Sequence, residues 1–125
     1  MKLTNVIQEA KKEIDIHRQY ERGDVFWNSR DKGLLFLLLA PYTAARGVKK
    51  WEGVEFDLKP SYGEPYLGSG AVITAGDELA FKGYKKTKLT AKMKKMIQKI
   101  IKDPEALEQL DRAGTRVKDI ERYIR

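Results

Sequence analysis

The feature that most constrains the fold is an uninterrupted apolar run, LLFLLLA at residues 34–40, which ends at Pro41. A membrane-spanning helix needs roughly 20 apolar residues, so this run predicts a segment of a protein core. The N-terminus lacks the apolar stretch of a signal peptide, because charged residues such as Glu9, Lys11 and Lys12 follow at once. We therefore expect a cytoplasmic protein that builds its own apolar core.

The composition narrows the chemistry that is open to this chain. A length of 125 residues favours a single domain over 1–125, and 42% hydrophobic residues suffice for a core. The absence of cysteine excludes disulfides, a thiol nucleophile and a Cys-type metal site. A single histidine, His17, excludes a two-His metal motif. The sequence thus predicts no catalytic residue, no metal ligand and no cofactor.

The first segment has the pattern of an amphipathic helix. Thr4 suits its N-cap, and Gly23 suits its C-terminal end. Its apolar residues fall within an arc of about 100° at helical periodicity, and His17 extends this stripe. We expect His17 to be a structural residue at the edge of the core. The stripe consists of Leu3, Val6, Ile7, Ala10 and Ile14.

The middle of the chain predicts antiparallel strands. Residues 24–27 and the apolar run bracket a polar turn, which indicates a β-hairpin, although a buried helix capped by Ser29 fits the run equally. Residues 54–59 alternate apolar and charged, as a half-buried strand does. Residues 60–70 are rich in Gly and Pro and predict a loop. Residues 71–74 and 79–84 then predict a second hairpin around a polar turn.

The C-terminal third predicts helices. From Lys88 onward an apolar face recurs at helical spacing, with Asp103-Pro104 and Gly114-Thr115 as start and stop signals. The predicted fold class is therefore α+β: an N-terminal helix, a small antiparallel sheet of about four to five strands, and three C-terminal helices. Residues 1–87 would form the helix and sheet, and residues 88–125 the basic helix with two short helices.

The net charge of +7 is confined to one segment. Residues 82–102 carry nine lysines and no acid, whereas the rest of the chain has 16 Lys+Arg and 18 Asp+Glu. Five of these lysines follow one another at intervals of three or four residues, within an arc of about 80° of one predicted helix. Those five are Lys88, Lys92, Lys95, Lys99 and Lys102.

An arc of like charges favours contact with a polyanion. The alternative and simpler interpretation of a Lys-rich face is a surface that contacts only solvent. Tyr84 lies in the same segment and is a candidate for stacking on a base, with Tyr62 and Tyr66 as weaker ones. Sheet-edge packing is the alternative role for Tyr84. The predicted nucleic-acid-binding residues are Lys82, Lys85, Lys86, Lys88, Lys92, Lys95, Lys99, Lys102 and Tyr84.

Two further patterns suggest other chemistry. Residues 104–125 have a helix-turn-helix outline with Gly114 in the turn, and four apolar residues expected to face inward: Leu107, Leu110, Val117 and Ile120. Asp57-Leu58-Lys59 matches the carboxylate-x-Lys half of a metal-dependent nuclease site, which would also need a second carboxylate. Two packed helices and a solvent-facing strand are the ordinary explanations of these patterns.

The sequence therefore favours a small, non-enzymatic nucleic-acid-binding protein that contacts phosphates of DNA or RNA through a lysine-rich helix. Its nearest rival is a phage-type or plasmid-type interaction module that inhibits a nucleic-acid enzyme through an acidic protein surface. A metal-dependent nuclease using Asp57 and Lys59 comes third. No membrane partner is expected, because the apolar face of the basic helix is needed for core packing.

Overall fold

The computed structural model describes residues 19–74 and 82–125. The predicted N-terminal helix, with Thr4 and His17, lies outside the described residues. The described part forms five strands, with a short 3-10 helix at Ala45–Gly47, followed by three α-helices, an α+β arrangement as predicted. The strands are β1 (Val25–Asn28), β2 (Leu34–Thr43), β3 (Lys49–Asp57), β4 (Tyr66–Thr74) and β5 (Tyr84–Thr87), and the helices are α1 (Ala91–Ile100), α2 (Pro104–Ala113) and α3 (Val117–Ile124).

The five strands form one antiparallel sheet in the order β4-β3-β2-β1-β5. The first predicted hairpin is confirmed, since β1 pairs with β2 and Phe26 lies opposite Phe36. Its turn is closed by Asn28, whose Oδ1 accepts hydrogen bonds from the backbone N–H groups of Arg30 (2.8 Å) and Asp31 (2.9 Å). The apolar run is therefore a strand, and the helical alternative is wrong.

The turn of the second predicted hairpin and half of its second strand, residues 75–81, lie outside the described residues. β4 and β5 lie at opposite edges of the sheet, and β5 pairs with β1, with Tyr84 opposite Asn28. The pairing of β5 with β1 joins segments more than 50 residues apart, and local alternation carries no information on such a partner.

The predicted loop over residues 60–70 is also too long, since β4 already begins at Tyr66. Gly63 takes the left-handed conformation of a turn at φ 75°, whereas Gly70 lies within β4 and serves close packing. A Cβ at Gly70 would lie 3.0 Å from the backbone oxygen of Gln109 and 3.2 Å from the Cβ of Ala113, both on α2. Glycine within a strand often marks such a close approach of another backbone. The small residues of β4 thus let α2 pack directly on the sheet.

The sheet buries apolar side chains on both faces, and this explains the continuous apolar run of β2. Successive side chains of a strand point to opposite faces, so a strand that is buried on both has no polar alternation. On one face, Leu35, Leu37 and Leu39 pack with the helices. On the other face, Tyr20 contacts Phe26 edge-on at 5.3 Å between ring centroids, beside a buried cluster: Phe26, Phe36, Leu38, Trp51 and Tyr84.

The helix boundaries follow from their caps. Thr90 caps α1, because its Oγ1 accepts the backbone N–H of Met93 at 3.2 Å. Asp103 caps α2 with Pro104 in the first turn, as predicted, and Gly114 ends α2 in the left-handed region at φ 74°. Within residues 19–74 and 82–125, no helix is both long and apolar enough to cross a membrane.

Candidate nucleic-acid interface

Helix α1 has two sides occupied and one side free. Its apolar side, with Ile97 and Ile100, is buried in the core between the sheet and the helices, and Ile101 directly after the helix is buried in the same cluster. A second side faces the C-terminal end of α3: Lys94 Nζ donates to the backbone oxygen of Arg125 at 3.1 Å, and Gln98 Nε2 to that of Ile124 at 3.4 Å. The remaining side of α1 faces solvent.

That free side carries Lys92, Lys95 and Lys99, here called the lysine row. All three side chains are exposed. With a rise of 1.5 Å per residue, the row is about 10 Å long. Among the described residues, ion pairs form at Lys86–Asp24, Arg112–Glu108 and Arg116–Asp119, and none involves the row. The row is thus a line of uncompensated positive charge.

Two further predicted lysines continue this line beyond the helix. Lys88 precedes the N-cap Thr90, and Lys102 follows the last residue of the helix, so neither belongs to α1 itself. The prediction that all five lysines share one helix face is wrong in this respect. Both side chains are exposed, and they extend the basic segment at each end of the row.

The other three predicted lysines lie before and along the edge strand β5. Lys82 is exposed in the turn that precedes β5. Lys85 lies opposite Trp27 and Lys86 opposite Phe26, so the two project on opposite faces of the sheet. Lys86 already has a partner, because its Nζ lies 3.4 Å from Asp24 Oδ2. Short edge strands rich in lysine also protect a sheet against edge-to-edge association.

Tyr84 is a buried structural residue with only 8% of its surface exposed. Its hydroxyl donates a hydrogen bond of 2.6 Å to Glu55 Oε2, and its ring lies 6.0 Å from that of Phe36. Burial, together with the hydrogen bond and negative charge of Glu55, raises the pKa of the Tyr84 hydroxyl. The ring therefore has almost no free surface on which a base could stack.

The two weaker tyrosine candidates are accessible. Tyr62 is 92% exposed in the loop before β4, and Tyr66 is 51% exposed at the first position of that strand. Tyr66 lies opposite Asp57 in the register of β3 and β4.

A cleft of about 740 Å³ opens at the C-terminal end of the lysine row. Met96, Lys99 and Ile100 of α1 line it together with Lys102, and the start of α2 and residues 64–67 form the other walls. Sequence reasoning did not find this cleft, because residues 64–67 are more than 25 residues away from the helices that form its other walls. Three of its lining residues, Tyr66, Lys99 and Lys102, are candidate binding residues predicted from the sequence.

Asp57 stabilises the backbone at the end of β3 and, among the described residues, does not form part of an open metal site. It is 8% exposed, and its Oδ1 accepts the backbone N–H of Lys59 at 3.1 Å. A Cβ at Gly33 would lie 2.6 Å from the same oxygen, so the neighbouring chain packs closely against it. Within the described ranges, no three His, Cys, Asp or Glu side chains converge on a point that could hold a metal ion.

The α2–α3 pair has the outline of a helix-turn-helix but uses its apolar residues for the sheet. Leu110 and Ile120 are buried and Val117 is partly buried, whereas Leu107 is 39% exposed, so its predicted inward position is wrong. The turn is fastened to β4, because Thr115 Oγ1 donates to the backbone oxygen of Gly70 at 2.7 Å.

No protein family, curated protein or solved structure gives a significant match to this chain. The functional argument therefore rests on the charge and geometry of the site.

Proposed function

We propose that this chain is a small, non-enzymatic nucleic-acid-binding protein that contacts the phosphate backbone through the lysine row of α1. The observation that carries the proposal is the line of three exposed lysines, spaced three and four residues apart, with no ion-pair partner among the described residues. Neutralising phosphates with such side chains releases condensed counterions, which supplies most of the affinity of non-specific binding.

The other described helices support this interpretation by contrast. On α2, Arg112 pairs with Glu108, and at the start of α3, Arg116 lies 3.6 Å from Asp119. Mixed charge of this kind is typical of a helix whose outer side contacts only solvent. Helix α1 has four lysines and no acid over ten residues. Like charges three or four residues apart destabilise a helix slightly, and a bound polyanion relieves that repulsion.

The packing of α1 favours contact along a backbone rather than insertion into a groove. A recognition helix enters the major groove and reads base edges with its side chains. Here the sheet occupies one side of α1 and the end of α3 another, so only the lysine side is open. Because phosphate contacts position a protein without reading bases, we expect little sequence preference.

A charge-matched comparison tests the proposal. The variant Lys92→Gln/Lys95→Gln/Lys99→Gln removes the row, and the control Lys32→Gln/Arg46→Gln/Lys118→Gln removes three exposed cations that lie apart in the fold. Both variants lower the net charge of +7 by the same amount. Anisotropy titrations with single- and double-stranded DNA and RNA at low salt should show a loss of about tenfold or more for the row variant.

The control variant should stay close to wild-type affinity. An equal loss in both variants would contradict the role of the row, because total charge alone would then explain binding. A wild-type protein that binds none of the four nucleic acids would overturn the proposal, and the interaction module that docks on an acidic protein surface would take its place.

A further inference from the structure

We infer that the cleft beside Lys99 and Lys102 receives one unpaired nucleobase of a strand whose phosphates lie on the lysine row. The inference rests on the proposed function and specifies its ligand as single-stranded nucleic acid. It is carried by the position of the cleft at the end of the row, by the chemistry of its lining, and by the presence of Lys99 and Lys102 among the lining residues.

The cleft has the size of a small-molecule site. Its volume of about 740 Å³ falls within the roughly 300–1,000 Å³ of ordinary ligand pockets. Its walls combine the second half of α1, the first turns of α2 and residues 64–67. All three walls lie where the helices pack against the β4 edge of the sheet. The cleft is therefore formed by the packing of several elements and not by a single loop.

Different residues of the cleft lining supply apolar surface and polar groups. Apolar surface for the face of a planar base comes from both helices and from the loop before β4, and the residues that supply it are Met96, Ile100, Pro104, Ala106 and Pro65. Hydrogen-bond acceptors for base N–H groups come from Glu64, Glu105 and Gln109. Carboxylates accept from the amino group of cytosine, and Gln pairs with the edge of adenine.

The same carboxylates determine which part of a nucleotide enters. Glu64 and Glu105 repel a phosphate, whereas Lys99, the last lysine of the row, and Lys102 beyond it attract one. Asp103 is already engaged, because its Oδ2 accepts the backbone N–H of Ala106 at 3.4 Å as the cap of α2. A nucleotide is thus oriented with its base inside the cleft and its phosphate on the lysines.

This arrangement favours a single strand over a duplex. In a duplex the bases are stacked and paired, and turning one out costs a few kcal/mol. A single strand can place a base in the cleft without that cost while its neighbouring phosphates follow Lys99, Lys95 and Lys92. Duplex DNA would still bind, through phosphate contacts alone.

Blocking the cleft tests the inference. Glu105→Trp fills the cleft from the exposed first turn of α2, and Asp111→Trp places the same side chain on the same helix, away from the cleft lining, with the same change of charge. The probe is a DNA strand of about 12 nucleotides with one 2-aminopurine, used alone and as a duplex. Glu105→Trp should bind the single strand at least about fivefold more weakly than Asp111→Trp does.

Duplex affinity should be equal in the two variants, and the change in 2-aminopurine fluorescence seen with wild type should be lost in Glu105→Trp. A second blocking variant, Gln109→Trp, leaves the net charge unchanged and should show the same two results relative to wild type. Equal single-strand affinity in all three Trp variants, with binding still dependent on the lysine row, would overturn the cleft inference and leave the proposed function intact. Absence of wild-type binding to either probe would overturn both.

Discussion

Replacing Tyr84 with Phe removes one hydroxyl group from the buried face of the sheet opposite the helices and leaves the ring in place. That hydroxyl donates to Glu55 Oε2 at 2.6 Å, and the residue is 8% exposed. A hydrogen bond to a charged acceptor contributes about 1.5–3 kcal/mol net. Glu55 is only half-buried and can regain water, so we expect the lower value, a loss of about 1.5 kcal/mol near neutral pH.

The pH dependence of that loss follows from the raised pKa of Tyr84. In the unfolded chain a tyrosine deprotonates near its ordinary pKa of about 10. The folded protein keeps the Tyr84 proton to higher pH, so above about pH 10 the unfolded state binds fewer protons and wild-type stability falls as the pH rises. The slope reaches about 1.4 kcal/mol per pH unit. Tyr84→Phe lacks this loss, and by about pH 11 the two proteins should be nearly equal in stability.

Urea denaturation at several pH values between about 7 and 11 measures this effect directly. The exposed Tyr62 supplies the control, because Tyr62→Phe should match wild type throughout. The other tyrosines titrate alike in wild type and variant, so their contributions cancel in the difference. A stability gap between wild type and Tyr84→Phe that stays constant up to pH 11 would refute the account of the Tyr84–Glu55 contact.

Three other outcomes follow from the geometry. Thr90→Ala should lower the free energy of unfolding by about 1 kcal/mol through loss of the α1 cap, and Thr90→Ser should restore most of it; equal values for both variants in chemical denaturation would contradict the cap. Gly53→Ala should destabilise by about 1–3 kcal/mol or more, because its Cβ would lie 2.2 Å from the backbone oxygen of Leu37, and an unchanged thermal midpoint would contradict that contact. We expect no magnesium-dependent cleavage of a plasmid, since Asp57 is buried and hydrogen-bonded to the backbone of Lys59; cleavage that disappears in Asp57→Asn would contradict this.

Local signals in the sequence predicted local structure well. The cap Asp103 and the stop at Gly114 act through backbone groups within four residues, so their signals can be recognised without knowledge of the fold. The cap Thr90 was not predicted, and the helical pattern in the sequence starts at Lys88. The polar turn between β1 and β2 is equally local. The three C-terminal helices and the first hairpin could therefore be predicted.

Pairing between strands that are far apart in the sequence could not be predicted in the same way. Nothing in residues 84–87 indicates that their partner is β1, because alternation specifies a strand and its faces but no neighbour. The glycines of β4 look like loop residues until α2 is placed against them. The burial of Tyr84 and the existence of the cleft depend on the same long-range packing of strands and helices. The sequence therefore predicted the charge of the candidate site but not its shape.

The central claim is that the lysine row neutralises phosphates, and the salt dependence of binding measures that most directly. On duplex DNA each neutralised phosphate contributes about −0.9 to the slope of log K against log salt. If Lys92, Lys95 and Lys99 each contact one phosphate, their triple Gln variant should flatten the slope by roughly 2–3 units, while the Lys32/Arg46/Lys118 variant keeps the wild-type slope. A row variant with wild-type affinity and slope would contradict the claim.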